Sequence, residues 1–256
     1  MILLNNYLIT PTMFPDKTSQ VWHVPEKAIL KSDNCIHWKF ENEAEFMHVA
    51  QLKMLVDGGR MDTTLHMPYM PYARQDKEIS NDTTFALRAF LKLLNALKFS
   101  KVISYDVHNP ALVSELLPGF KNLALDRDAM DMFAFEECID FVLFPDEGAY
   151  RRYGAAFNPE AIISATKERD PATGRIVGMK IPDIKEHPTL DTRILIVDDI
   201  CDGGATFIAL AKLIREKCSK AWIILYVSHG IFSKGTQVLR DAGIKQIFAG
   251  GVEVFT

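Results

Sequence analysis

ILIVDDICDGGATF, residues 194–207, decides the reading of this chain. An apolar run, Ile194 to Val197, meets two adjacent aspartates, and a third aspartate and two glycines follow. In open parallel sheets, ligands bind at the carboxyl ends of strands. Asp198 and Asp199 are expected at such an end, and Gly203, Gly204, Ala205 and Thr206 are expected to open a helix. Backbone N–H groups at a helix N-terminus, reinforced by the helix dipole, hold phosphate. The carboxylates repel phosphate but accept hydrogen bonds from vicinal hydroxyls. The stretch therefore fits a sugar phosphate, with hydroxyls on Asp198 and Asp199 and phosphate in the turn of residues 202–206, which includes Asp202. The other reading is a solvent-exposed turn that is merely acidic and glycine-rich.

Outward from this motif, short apolar runs alternate with helical patterns. TTLHMPYM (63–70) reads as a strand. SNDTTFALRAFLKLLNAL (80–97) reads as a helix capped by Ser80 or Asn81, with Phe85, Leu87, Phe90, Leu91, Leu94 and Leu97 at helical spacing. KVISYDV (101–107) is a strand and NPALVSELL (109–117) a short helix stopped by Pro118-Gly119. FVLFPD (141–146), AIISATKE (161–168), RILIVDD (193–199), AWIILYVSHG (221–230) and IKQIFAGGV (244–252) read as strands. GAYRRYGAAF and GATFIALAKLIREKC (204–218) read as helices between them. Strands alternating with helices imply parallel sheets. The fold class is α/β, with two similar domains, 1–122 and 123–256. Residues 169–192 break the rhythm with three prolines, two glycines and many charges. A loop this long between buried strands is a functional lid or is disordered.

The chain has 256 residues, 48% of them hydrophobic and 24% charged, enough for a packed core. A net charge of −4 argues against a general nucleic-acid binder. Cys35, Cys138, Cys201 and Cys218 show no C-x-x-C spacing, so neither a zinc site nor a disulfide framework is expected. The start, MILLNNYLIT, lacks a signal peptide's basic region and cleavage site, and no apolar run approaches the ~20 residues of a membrane span. The expectation is a soluble, cytoplasmic protein without nucleic-acid or membrane partners.

ILIVDDICDGGAT resembles the phosphoribosyl-pyrophosphate (PRPP) loop shared by type I phosphoribosyltransferases and ribose-phosphate pyrophosphokinases. Four more stretches resemble the pyrophosphokinases alone. PYMPYARQDKEIS (68–80) is similar to P-Y-x-P-Y-A-R-Q-D-[KR], which simple transferases lack, and YDVHNP (105–110) is similar to the D-L-H motif. FPDEGAYRRYG (144–154) resembles S-P-D-x-G-x-x-R-R-A, and SHGIFS (228–233) resembles T-H-G-[VL]-F-S. On these motifs, in the family's order, the chain is identified as a member of the ribose-phosphate pyrophosphokinases.

The resemblance implies two type I phosphoribosyltransferase-like domains and transfer of the β,γ-diphosphoryl group of ATP to ribose 5-phosphate, giving PRPP and AMP. It implies that Arg74 and Gln75 hold the adenine nucleotide beside Asp76 and Lys77. It implies Mg2+, with His108 and Asp146 as ligands. Lys167 and Arg169 correspond to the catalytic Lys and Arg at the mouth of a lid, where they would neutralise charge on the transferred group. FPDK (14–17) resembles a segment that reaches the nucleotide of a neighbouring subunit, so Phe14 would stack on adenine and Asp16 contact the nucleotide. A plain turn is the other reading of that segment. A homo-oligomer, dimer or hexamer, is implied.

The departures are specific. Family members are longer, so a shortened member is expected, without the first βα unit and the final helix. The phosphate loop reads D-G-G-A-T where the family has D-T-G-G-T, so Gly203 loses a hydroxyl donor and Ala205 adds a Cβ. The lid opens K-E-R where the family has K-R-R. Two other readings stay open: a transferase consuming PRPP with a base, and a catalytically silent regulatory subunit.

Overall fold

Apolar runs and helical patterns sort the chain into two units, Met1–Ala124 and Leu125–Thr256. The structure, a computed structural model, describes residues 1–29, 32–57, 62–169, 176–184 and 192–255. Among the described residues, no helix is long and apolar enough to cross a membrane.

Unit one opens with a hairpin of β1 (Ile2–Leu4) and β2 (Tyr7–Ile9), in which Leu4 faces Tyr7. Its turn is Asn5-Asn6, with φ of 46° and 71°. Asparagine tolerates this left-handed backbone, and such turns match the twist of a hairpin. A small hairpin follows, β3 (Thr12–Met13) with β4 (Ser19–Gln20). Then come β5 (Asn34–Trp38), α1 (Glu45–Asp57), β6 (Thr63–His66), α2 (Ala86–Ala96), β7 (Lys101–Tyr105), α3 (Pro110–Leu116) and β8 (Phe120–Leu123). The sheet order is β2-β1-β5-β6-β7-β8, parallel from β5 to β8. α2 turns Leu87, Phe90, Leu91 and Leu94 into a core that also holds Trp38, Leu52, Leu65 and Val102.

The sequence reading starts α2 too early. Thr83 accepts the backbone N–H groups of Ile79 and Ser80 and donates to the Ser80 carbonyl. These bonds close residues 79–83 into a turn, and the helix starts only at Ala86. α3 begins as its sequence suggests, with Asn109 accepting the Leu112 N–H at 3.3 Å and proline in the first turn.

Unit two contains α4 (Arg127–Glu136), β9 (Phe141–Phe144), α5 (Glu147–Tyr153), β10 (Ile162–Ser164), β11 (Thr166–Arg169), β12 (Ile176–Lys180), β13 (Arg193–Cys201), α6 (Ala205–Lys217), β14 (Trp222–Gly230), α7 (Gln237–Asp241), β15 (Ile244–Ala249) and β16 (Val252–Glu253). The main sheet runs β10-β9-β13-β14-β15-β16 and is parallel except for its β16 edge. From β9 the chain steps one way to β10 and later crosses to β13 on the other side. The order therefore reverses between β9 and β13, and that switch point is where such sheets leave a crevice for ligands.

Two expectations change here. Residues 161–168 are not one strand, because β10 joins the main sheet while β11 pairs antiparallel with β12, Lys167 facing Met179. Part of the expected loop 169–192 is thus a β-ribbon; residues 170–175 and 185–191 lie outside the described residues. β13 also does not end at the aspartates. Ile200 and Cys201 continue the ladder opposite His229 and Gly230.

Candidate active site

The carboxyl ends of β9 and β13 carry the acidic residues of the switch point. Asp146 follows β9 and caps α5, its Oδ1 accepting the Ala149 N–H at 3.1 Å. Its Oδ2 accepts from the Lys167 Nζ at 2.5 Å. Burial pushes the Asp146 carboxyl up, but the Lys167 ammonium and the helix N–H groups outweigh it and hold it below the usual carboxylate range. Lys167 sits in β11, immediately after the main-sheet strand β10 has ended, and this brings its ammonium to Asp146.

The two aspartates of β13 have different surroundings. Asp199 is 3% exposed and accepts from the Arg152 Nη1 at 2.7 Å. Asp198 is half-buried, and its Oδ1 accepts the Asp199 N–H at 2.9 Å. Burial first, then the Asp199 charge, push the Asp198 carboxyl up to about 7, and Asp146 adds to the effect. Asp198 is therefore the half-exposed acceptor, while Asp199 is held by Arg152. Sequence reasoning gave Arg152 no role. Its signal was the second arginine of FPDEGAYRRYG, which α5 carries from the same helix that Asp146 caps.

The turn after β13 opens α6 through a glycine in left-handed backbone. Gly204 has φ +76°, and a Cβ there would lie 2.8 Å from the Leu239 Cδ2, so glycine is needed for both reasons. The Gly204 carbonyl accepts the Ile208 N–H at 2.9 Å, starting α6 at Ala205. Asp202 and Ala205 are exposed, and Gly203 and Thr206 are partly exposed.

In unit one, Arg74, Gln75 and Lys77 are exposed and Asp76 is half-buried. Asn109 donates to the Asp76 Oδ2 at 3.0 Å. The RQDK stretch and the DVHNP stretch with half-buried His108 are thereby joined within one unit. The Gln75 carbonyl accepts the Leu87 N–H at 3.2 Å, tying RQDK to the start of α2. Phe14 and Asp16 lie in the turn between β3 and β4. Asp16 is exposed and accepts from the Thr18 N–H and hydroxyl at 3.0 and 2.7 Å, while the Phe14 ring lies 6.3 Å from that of Trp22. The backbone of Arg169 closes β11, but its side chain lies outside the described residues.

Among the described residues, no three His, Cys, Asp or Glu side chains group as a metal cage. Magnesium commonly takes only one or two carboxylates and fills its shell with substrate phosphates and water. Asp146 fits that pattern as a single carboxylate, and Lys167 already neutralises it. Cavities of about 530 Å³ in unit two and 410 Å³ in unit one are lined by none of these residues.

No family model matches the chain. It is 29% identical over 182 residues to the ribose-phosphate pyrophosphokinase of Pyrococcus abyssi, covering 71% of this chain and 62% of that protein. It is 27% identical over 230 residues to that of Pyrococcus furiosus, covering 87% of this chain and 77% of the relative. With that of Saccharolobus solfataricus it shares 24% over 250 residues, covering 92% and 81%. The crystal structure of phosphoribosylpyrophosphate synthetase from Mycobacterium smegmatis superposes with a TM-score of 0.76 at 19% identity, over 94% of this chain and 79% of that one. The chain is thus similar in sequence to ribose-phosphate pyrophosphokinases, of which it spans 62–81%, and it shares with phosphoribosylpyrophosphate synthetase an α/β fold of two parallel-rich sheets.

Proposed function

We propose that the protein makes PRPP by transferring the β,γ-diphosphoryl group of ATP to ribose 5-phosphate. The observation that carries this reading is the Lys167–Asp146 pair beside Asp198 at the switch point of unit two, next to the 202–206 turn. Ribose hydroxyls donate to Asp198, and the 5-phosphate accepts N–H groups from the turn at the start of α6. Asp199, fixed by Arg152, holds the strand end in place. The C1 hydroxyl oxygen attacks the β-phosphorus and gives up its proton to solvent. The bond from that phosphorus to the oxygen bridging to the α-phosphate breaks, and AMP leaves. Lys167 meets the charge that shifts onto the transferred group. Arg169 joins it in this proposal, from the same β11 strand. Bound Mg2+ would supply further charge neutralisation for the phosphates; Asp146 is the residue of unit two that would hold it, and His108 is the candidate ligand of unit one, each taken within its own unit. Arg74, Gln75, Asp76 and Lys77 serve the adenine nucleotide, and Phe14 and Asp16 serve a nucleotide bound by another copy in a cytoplasmic homo-oligomer.

A transferase consuming PRPP with a base is less favoured, because PYARQDK is joined to DVHNP through Asn109 and Asp76, and because the relatives carry the pyrophosphokinase name. AMP release from ATP that depends on ribose 5-phosphate tests the proposal. Release that ignores the sugar, or none at all, overturns it.

A further inference from the structure

The segment after β14 is folded back onto the phosphate turn. The Cys201 carbonyl, the last of β13, accepts the N–H groups of both Ile231 and Phe232, at 2.8 and 3.1 Å. The Gly235 N–H then returns to the Phe232 carbonyl at 2.7 Å, closing a tight turn with Ser233 and Lys234 at its two central positions. Left-handed backbone at Phe232 (φ 48°) and Gly235 (φ 73°) shapes that turn. It sets the Lys234 side chain directly over Gly203. A Cβ at Gly203 would lie 3.5 Å from the Lys234 Cε and 3.6 Å from its Cδ. Lys234 is exposed, and among the described residues no carboxylate pairs with it.

The position is chemically specific. Gly203 stands where the resembled loop has threonine, so this turn lacks one hydroxyl donor. The space that a side chain at 203 would enter is bordered by the stem of Lys234, whose ammonium has no carboxylate partner among the described residues. Also at the turn are the exposed carboxylate of Asp202, the Ser233 hydroxyl, 3.8 Å from the same ideal Cβ, and the backbone N–H groups that open α6. Of these, Lys234 is the cation.

We infer that Lys234 is a phosphate-binding residue of this site, supplying to the 5-phosphate of the sugar the donor that Gly203 lacks. The inference rests on the proposed function and deepens it: the ligand class is a sugar phosphate dianion, recognised jointly by the α6 N-terminus and by a lysine from the turn after β14. A charged donor to a phosphate stabilises more than a neutral hydroxyl does.

The test is calorimetric binding of ribose 5-phosphate to the full chain and to Lys234→Met, Lys234→Arg and the double variant Gly203→Thr/Lys234→Met, with ATP binding measured alongside. Lys234→Met is expected to weaken ribose 5-phosphate binding by about tenfold or more while leaving ATP binding within about twofold. Arginine at 234 should retain most of the affinity, and threonine at 203 should recover part of what methionine loses. Melting temperatures should stay level, because Lys234 is exposed and methionine keeps an apolar stem over Gly203. Equal affinity of the unaltered chain and Lys234→Met overturns the inference alone, as does equal weakening toward ATP. Failure of the unaltered chain to bind ribose 5-phosphate overturns the proposed function and takes this inference with it.

Discussion

The Lys167 ammonium lies 2.5 Å from the Asp146 carboxylate, linking the ribbon strand β11 to the end of β9. Both ends of the pair are partly exposed, 16% and 43%. Such a pair contributes only about 0–1 kcal/mol to stability. In the proposed mechanism the ammonium exchanges Asp146 for an oxygen of the transferred phosphate.

Lys167→Ala is therefore expected to leave the melting temperature nearly unchanged and to lower kcat by at least about 10²-fold, the order lost with one preorganised donor. Arginine at 167 should rescue poorly, since its planar fork does not reproduce a compact ammonium. Steady-state AMP release together with a thermal melt checks both. Near-normal turnover would remove this lysine from the mechanism.

Arg152→Ala leaves the buried Asp199 carboxylate without its guanidinium. Breaking a buried pair from one side costs about 3–5 kcal/mol; Arg152 is 23% exposed, which places the expected loss at or below the low end. Chemical denaturation should show this destabilisation, and Asp199→Asn combined with Arg152→Ala should recover part of it. An unchanged midpoint for Arg152→Ala would contradict the assigned role of the pair.

Asp198 sets a pH dependence. Its carboxyl rises from 3.8 to about 7 on folding, so the folded chain binds this proton more tightly than the unfolded chain. The group's contribution to stability is therefore fully present below about pH 4 and is lost as pH rises through about 7. Asp198→Asn should stabilise the ligand-free protein at pH 8 by on the order of 2 kcal/mol, give no gain at pH 4, and abolish tight sugar binding. Melts of both proteins across that range, in chelator, measure the difference. A gain independent of pH would show that burial of Asp198 is not the cause.

Much of unit two can be read from residues 141–252, because its strands are buried on both faces and appear as plain apolar runs. Other elements are hidden by their own chemistry. α1 buries Glu45, His48 and Lys53 while Met47 and Met54 stand 58% and 73% exposed, so its apolar residues trace no stripe. α4 exposes Phe135 and Met132 and buries only Met130. Ile200 and Cys201 extend β13 past the aspartates, an extension the acidic pair disguises. In the candidate site, Asp146, Lys167, Asp198 and the 202–206 turn were legible as motif members. The different surroundings of Asp198 and Asp199 were not, because they depend on Arg152, which lies 47 residues away in the chain.

Gly204→Ala forces a side chain into left-handed backbone and onto Leu239 at 2.8 Å. It should cost about 1–3 kcal/mol of stability and weaken ribose 5-phosphate binding, through misplacement of the first N–H groups of α6. Gly203→Ala, whose Cβ meets nothing closer than 3.5 Å, is the control and should be tolerated structurally. Equal stability of the two variants would contradict the turn geometry.

The most direct test of the central claim is the rate of AMP formation from ATP and Mg2+, with and without ribose 5-phosphate, coupled to detection of PRPP. The account predicts AMP and PRPP in equal amounts, only when the sugar phosphate is present, and loss of both in Lys167→Ala. ADP as the product, AMP without PRPP, or sugar-independent release would contradict it.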